Sequence, residues 1–263
     1  MNIKYMLGAM ISIPLLPILY FQGKKIERTI PKLPEATDVE GMSAVENTQS
    51  FQIVAIGEST IAGVGANSHA TGFIGTLANE LSAQIPATIS WKVYAKSGYT
   101  AKCVTQKIIP TIEDQNVDII VIGLGGNDSF ALRTPKRWKK DINDLIINIR
   151  SKYPKTPIVF TNMPPIKEFT AFTGTFKFVI GNLVLHLGKE LEKIVKHHEN
   201  VYFNARNLEY DDLINRMNLD AAPEDFFSDG VHPSELAYQV WAKDMAEFMV
   251  ENVNFKRKSI LAS

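Results

Sequence analysis

From residue 51 onward, short apolar β-rich runs alternate with helical spacings, and this alternation leaves the chain few architectures. The runs are Phe51–Ile56, Ile89–Tyr94, Val117–Ile122, Ile158–Thr161 and Val201–Phe203. They are near-continuous, as expected for strands covered on both faces. Between them, Phe73, Leu77 and Leu81 recur every four residues. Trp138, Ile142, Leu145 and Ile149 trace a second helical face, Leu183, Leu187, Leu191 and Ile194 a third, and Trp241, Met245 and Phe248 a fourth. Such alternation predicts right-handed crossovers and a parallel sheet with helices on both sides. In sheets of this kind ligands bind outside the carboxyl ends of the strands. The loops that follow strands therefore carry the functional weight.

Those loops hold reactive residue types. Gly57-Glu58-Ser59 follows the first run, Ser97-Gly98 the second, and Gly125-Gly126-Asn127-Asp128 the third. Ser228-Asp229-Gly230-Val231-His232-Pro233 leads into the last helical pattern. A serine hydroxyl needs a base before it attacks an acyl carbon, and the base needs a carboxylate to orient it. Ser59 has the simpler reading of a helix N-cap. Of the five histidines, only His232 has a carboxylate in a tight loop beside it. Asp229 at i−3 folds back to accept from Nδ1, which leaves Nε2 as the acceptor. A turn followed by a helix-starting Pro233 explains the Asp-Gly and the Pro but not the His. Gly98 lets a backbone N–H approach closely, and Asn127 offers a side-chain amide, as an oxyanion site requires.

Composition excludes several classes. Lys+Arg and Asp+Glu are both 28, so nothing electrostatic favours nucleic acid as a partner. The single cysteine, Cys103, allows no intrachain disulfide and reads as a small apolar residue. The glycine-rich stretch after the first run lacks the lysine of a phosphate loop, and Gly63-Val64-Gly65 lacks the third glycine of a dinucleotide site. No cluster has metal-ligand spacing, so neither metal nor cofactor is expected. A non-catalytic, flavodoxin-like binding module stays open as an alternative.

The N-terminus reads differently. Tyr5–Phe21 is a 17-residue stretch without charge, bracketed by Lys4 and by Lys24, Lys25 and Arg28. Residues 1–25 are expected to be a membrane anchor with a single span, or a signal-like export segment. The stretch sits at the short end of the spanning range, and no small residues mark a cleavage site. The excess of positive charge after the span favours a cytoplasmic domain. Residues 26–50 are polar, with Pro31 and Pro34, and read as a linker. A catalytic domain over 51–253 and a basic tail over 254–263 complete the division.

Taken in order, Ser59, Gly98, Asn127 and His232 resemble the four sequence blocks of the SGNH (GDSL-like) hydrolase superfamily. The resemblance spans about residues 51–250. It implies Ser59 as nucleophile, His232 as general base, and Asp229 as the residue that orients the imidazole. It implies an oxyanion hole made of the Ser59 and Gly98 N–H groups and the Asn127 side chain. The implied fold is a three-layer α/β/α sandwich with a five-stranded parallel sheet. The implied activity is hydrolysis of carboxylic esters or thioesters of small-molecule or lipid type through an acyl-enzyme. An acyltransferase with the same triad is the alternative. Two positions depart from the family pattern: Glu58 stands where Asp is usual, and Ala95 and Lys96 replace the asparagine region before Gly98. Finally, Met163–Ile180 carries Phe169, Phe172, Phe176 and Phe178, which read either as an apolar wall for an acyl chain or as core.

Overall fold

The computed structural model describes residues 3–44 and 49–255. Its strands are β1 (Glu40–Met42), β2 (Gln49–Gly57), β3 (Ala87–Ala95), β4 (Ile119–Gly123), β5 (Ile158–Phe160) and β6 (Val201–Phe203). The helices are α1 (Ile3–Ser12), α2 (Leu16–Thr29), α3 (Phe73–Gln84), α4 (Ala101–Cys103), α5 (Gly126–Phe130), α6 (Pro135–Lys152), α7 (Gly174–Val195), α8 (Tyr210–Met217) and α9 (Glu235–Asn252).

The sheet order is β1-β3-β2-β4-β5-β6. The five expected strands pair in parallel, and β1 adds a sixth, antiparallel to β3. β1, a three-residue strand inside the stretch expected as linker, has no counterpart among the predicted strands. Its apolar content is too small for a periodic signal, and its pairing rests on backbone bonds to β3.

Side-chain alternation along the strands divides the core into two layers. Ile53, Ala55, Val121 and Val159 face α3 and α9, where they meet Phe73, Leu77, Trp241 and Met245. Val54, Ile56, Ile120 and Ile122 face α6 and α7, against Trp138, Leu145, Leu187 and Leu191. Every residue of β4 is buried, as a central strand requires. β3 alternates instead, because the face bearing Ser90, Lys92 and Tyr94 is only half covered. Thr134 caps α6 by accepting from the Arg137 N–H, with Pro135 at the first helical position. Ser234 likewise caps α9, so Pro233 stands one residue before the cap rather than opening the helix.

The N-terminal apolar stretch does not form one long helix. A 3-10 turn at Ile13–Leu15 separates α1, of 10 residues, from α2, of 14 residues. Pro14 and Pro17 lie at the break, where each removes a backbone donor and crowds the preceding turn. Among the described residues, no helix is long and apolar enough to cross a membrane. The expected single span is therefore unsupported. Residues 45–48, within the expected linker, and residues 256–263, within the expected basic tail, lie outside the described residues.

Candidate active site

Ser59 sits two residues beyond the end of β2, half-buried, in a coil that turns back at once. The Val64 N–H donates to the Ser59 carbonyl at 3.0 Å, and the Ile61 and Ala62 N–H groups both donate to the Glu58 carbonyl. The buried Glu58 side chain reaches across to the loop after β4. There Oε1 accepts the Gly126 N–H and Oε2 accepts the Asn127 N–H, each at 2.8 Å. Burial pushes the Glu58 carboxyl up to about 7, against the pull of those two N–H bonds.

Asn127 is the second residue of the short helix α5, and its side-chain amide donates to the Tyr99 carbonyl at 3.3 Å. One amide hydrogen is left for another acceptor. This bond joins the second and third sequence blocks. Gly98, between Ser97 and Tyr99, is exposed and has φ +81°, in the left-handed region that favours glycine. The preceding Ser97 N–H donates to Glu35 Oε1 at 2.8 Å, and the Lys96 ammonium reaches Glu35 Oε2 at 2.9 Å. Burial raises the Glu35 carboxyl, but the Ser97 and Lys96 bonds outweigh it and hold the group below its ordinary value. Asp128, beside Asn127, is fully buried and accepts the Ala101 N–H at 2.9 Å. Burial pushes it up to about 6.

The fourth segment is built around Asp229. Its Oδ2 lies 2.7 Å from His232 Nδ1, while Oδ1 accepts the Val231 N–H at 2.9 Å and the His232 N–H at 2.7 Å. With the carboxylate ionised, Nδ1 carries the proton and Nε2 is the basic nitrogen. Burial pushes the Asp229 carboxyl up, but its bonds from His232 and Val231 win and hold it below the usual range.

The loops bearing Ser59 and His232 are sewn together. Ser228 Oγ donates to the Gly65 and Pro233 carbonyls, each at 3.1 Å. The buried Tyr238 hydroxyl of α9 donates to the Val64 carbonyl at 2.8 Å. Gly65 has φ +101°, and a Cβ there would stand 2.1 Å from the Pro233 carbonyl oxygen. Ser59 and His232 are not themselves joined by a direct hydrogen bond among the described residues.

The other histidines lie elsewhere. His69 is buried edge-on to Trp91, His186 meets Tyr5, and His198 bonds to Asn143. Cys103 is half-buried and receives a bond from the Thr100 hydroxyl. Neither Glu35 nor the Tyr99 carbonyl is legible in the sequence. Glu35 lies in a polar segment with no periodicity, and a backbone carbonyl leaves no trace in residue type.

Residues 55–240 match the model of the GDSL-like lipase/acylhydrolase family, well over half of the chain. No curated protein matches the sequence significantly. Among solved structures, the chain is similar to a family 3 carbohydrate esterase of Clostridium thermocellum, at 18% identity and a TM-score of 0.57, covering 77% of this chain and 96% of that one. It is similar to a member of the lipolytic G-D-S-L family from Veillonella parvula, at 17% identity and a TM-score of 0.53, covering 77% and 98%. A lipase from a goat rumen metagenome aligns at 18% identity with a TM-score of 0.52, covering 75% and 96%. At such identities the structural likeness speaks for the fold.

Proposed function

The chain belongs to the GDSL-like lipase/acylhydrolase family and is a hydrolase acting on ester bonds; from that premise we propose that Ser59 is its nucleophile, in a triad with His232 and Asp229. Family membership leaves the non-catalytic binding module without support. In this reading, Ser59 Oγ attacks the ester carbonyl carbon while His232 Nε2 takes its proton. The negative charge that develops on the carbonyl oxygen is met by the Ser59 and Gly98 N–H groups and by the second amide hydrogen of Asn127. Collapse breaks the bond to the alcohol oxygen, which leaves with the proton from His232. Water, deprotonated by the same imidazole, then releases the acid from Ser59.

The observation that carries this reading is the Asp229–His232 pair. The carboxylate fixes the ring at Nδ1 at 2.7 Å and the loop backbone through two further bonds, so the other nitrogen is basic and held in place. The Glu58 bonds add to it, since they tie Asn127 to the residue next to Ser59.

Labelling with a fluorophosphonate, read by intact mass, tests the assignment. One adduct on the wild-type chain, absent from Ser59→Ala, is expected, together with loss of p-nitrophenyl acetate hydrolysis in that variant. Hydrolysis retained by Ser59→Ala would remove Ser59 from the mechanism. Esterase and acyltransferase outcomes separate when an added alcohol competes with water for the acyl group.

A further inference from the structure

Helix α2 lies N-terminal to the residues that match the family model, yet one of its faces lines a groove that reaches the candidate site at Gly98 and Asn127. Leu16, Leu19, Gly23, Ile26 and Ile30 follow helical spacing and line one side of a groove of about 920 Å³. The facing wall is Phe130, Phe172, Phe176 and Ile180. The same groove reaches Gly98, Asn127 and Val231, the residue before His232. Leu19 is the anchor: it is buried in a cluster with Ile166, Phe169, Phe172, Phe176 and Ile180. Gln22 Oε1 accepts the hydroxyl of Thr173, the residue that caps α7, at 2.9 Å.

The chemistry of this groove is uniform. Its charged residues are Lys24 and Glu27, and these pair with each other at 2.8 Å. The remaining lining is aliphatic and aromatic, apart from the Asn127 amide already placed beside the reacting carbonyl. Such a space suits a flexible hydrocarbon, and its volume is that of a pocket for a small-molecule ligand. A sugar would find few polar partners there, namely Tyr20, the Lys24–Glu27 pair and Asn127.

We propose that α2 is the acyl-chain wall of the site. The hydrocarbon of the substrate lies along the seam where α2 meets Phe172, Phe176 and Ile180, with its carbonyl at Gly98 and Asn127. The substrate class is then esters of medium or long aliphatic acids rather than acetates. This inference rests on the triad reading above, since that reading puts the carbonyl at one end of the groove. It also gives the apolar N-terminal residues a task other than crossing a membrane.

The test is a p-nitrophenyl ester series from acetate to decanoate on the full chain. Gly23→Leu is the key variant. A Cβ at Gly23 meets only Phe176 Cε2 at 3.8 Å, an ordinary contact, so the side chain fills the groove without a backbone clash. Leucine also favours the helix over glycine. Wild-type kcat/KM is expected to rise from acetate to decanoate, and Gly23→Leu is expected to lower the decanoate-to-acetate ratio by about tenfold or more. Ile26→Phe, one turn on, gives a second reading from the same wall. Phe21→Ser, on the exposed side of α2, is expected to leave the ratio unchanged. A wild type that prefers acetate, or a ratio unmoved by both filling variants, would overturn the proposal while leaving the triad intact. Absence of both fluorophosphonate labelling and acetate hydrolysis in the wild type would instead fell the triad reading, and this inference with it.

Discussion

The Glu58 carboxylate grips the backbone of Asn127 at 2.8 Å, so the side chain next to Ser59 sets the position of the residue proposed as third oxyanion donor. The grip is bidentate, because the other oxygen holds Gly126 at the same distance. Its position between β2 and β4 couples two neighbouring strand ends through one side chain.

Replacing that carboxylate by an amide breaks the symmetry. Glu58→Gln keeps one acceptor but turns an NH₂ toward the other N–H. One buried donor goes unpaired, at about 1–3 kcal/mol. We expect a lower urea midpoint and a fall in kcat larger than any change in KM. An unchanged kcat in a folded variant would dissociate Glu58 from the site.

The same residue gives the stability a pH slope. Its carboxyl is at about 7 in the folded chain against 4.5 for an ordinary glutamate. Between those values the folded chain holds the proton that the unfolded chain has lost, so stability falls as pH rises from about 4.5 to 7, by at most about 3 kcal/mol. Asp128, at about 6, acts in the same direction over a lower window. Urea unfolding at pH 5 and at pH 8 measures the difference. Glu58→Gln should flatten it, and equal slopes in both proteins would contradict the assignment.

Asp229 has the opposite sign. Its carboxyl is held below the ordinary range, so what it contributes to stability is present at neutral pH and is lost only as pH falls below about 4. Asp229→Asn can still accept the two loop N–H groups on its oxygen, but its NH₂ faces Nδ1 and forces the proton onto Nε2. A loss in kcat of about 10³–10⁴ is expected, with the fold retained by circular dichroism. A loss under tenfold would mean the imidazole is oriented by something else.

Gly98 and Gly65 separate strain from crowding. Both have positive φ, but a Cβ at Gly98 meets nothing within 4 Å, whereas one at Gly65 collides with the Pro233 carbonyl. Gly98→Ala should therefore cost only about 1–2 kcal/mol of backbone strain, and should lower activity more than stability. Gly65→Ala has to push the loops bearing Ser59 and His232 apart. Its melting temperature should drop well below that of Gly98→Ala, and the reverse order would refute the packing argument.

Much of this was legible in residue order. The central strands announce themselves because burial on both faces demands unbroken apolar runs such as Ile119–Ile122. The four helices with apolar faces at helical spacing also stood out, as did Asp229 and His232, which sit three residues apart. What stayed hidden depends on contacts without a local pattern. Glu35 reaches Ser97 from 62 residues away. α5 is one turn long, too short for periodicity, and reads as a glycine turn. The helical segment after Gly98 is irregular, passing through a π turn at Val104–Ile108. The N-terminal stretch has the composition of a span, but Pro14 and Pro17 divide it into two helices, and no helix among the described residues is long and apolar enough to cross a membrane.

The stitching of Ser228 to Gly65 and of Tyr238 to Val64 has a temporal consequence. The hydroxyl-bearing loop leaves the ribosome early, and its imidazole partner follows more than 160 residues later, just ahead of the helix that pins both. On the triad reading proposed above, a nascent or clipped chain ending before that helix would hold its serine without a positioned base, and ester chemistry would wait for the finished fold.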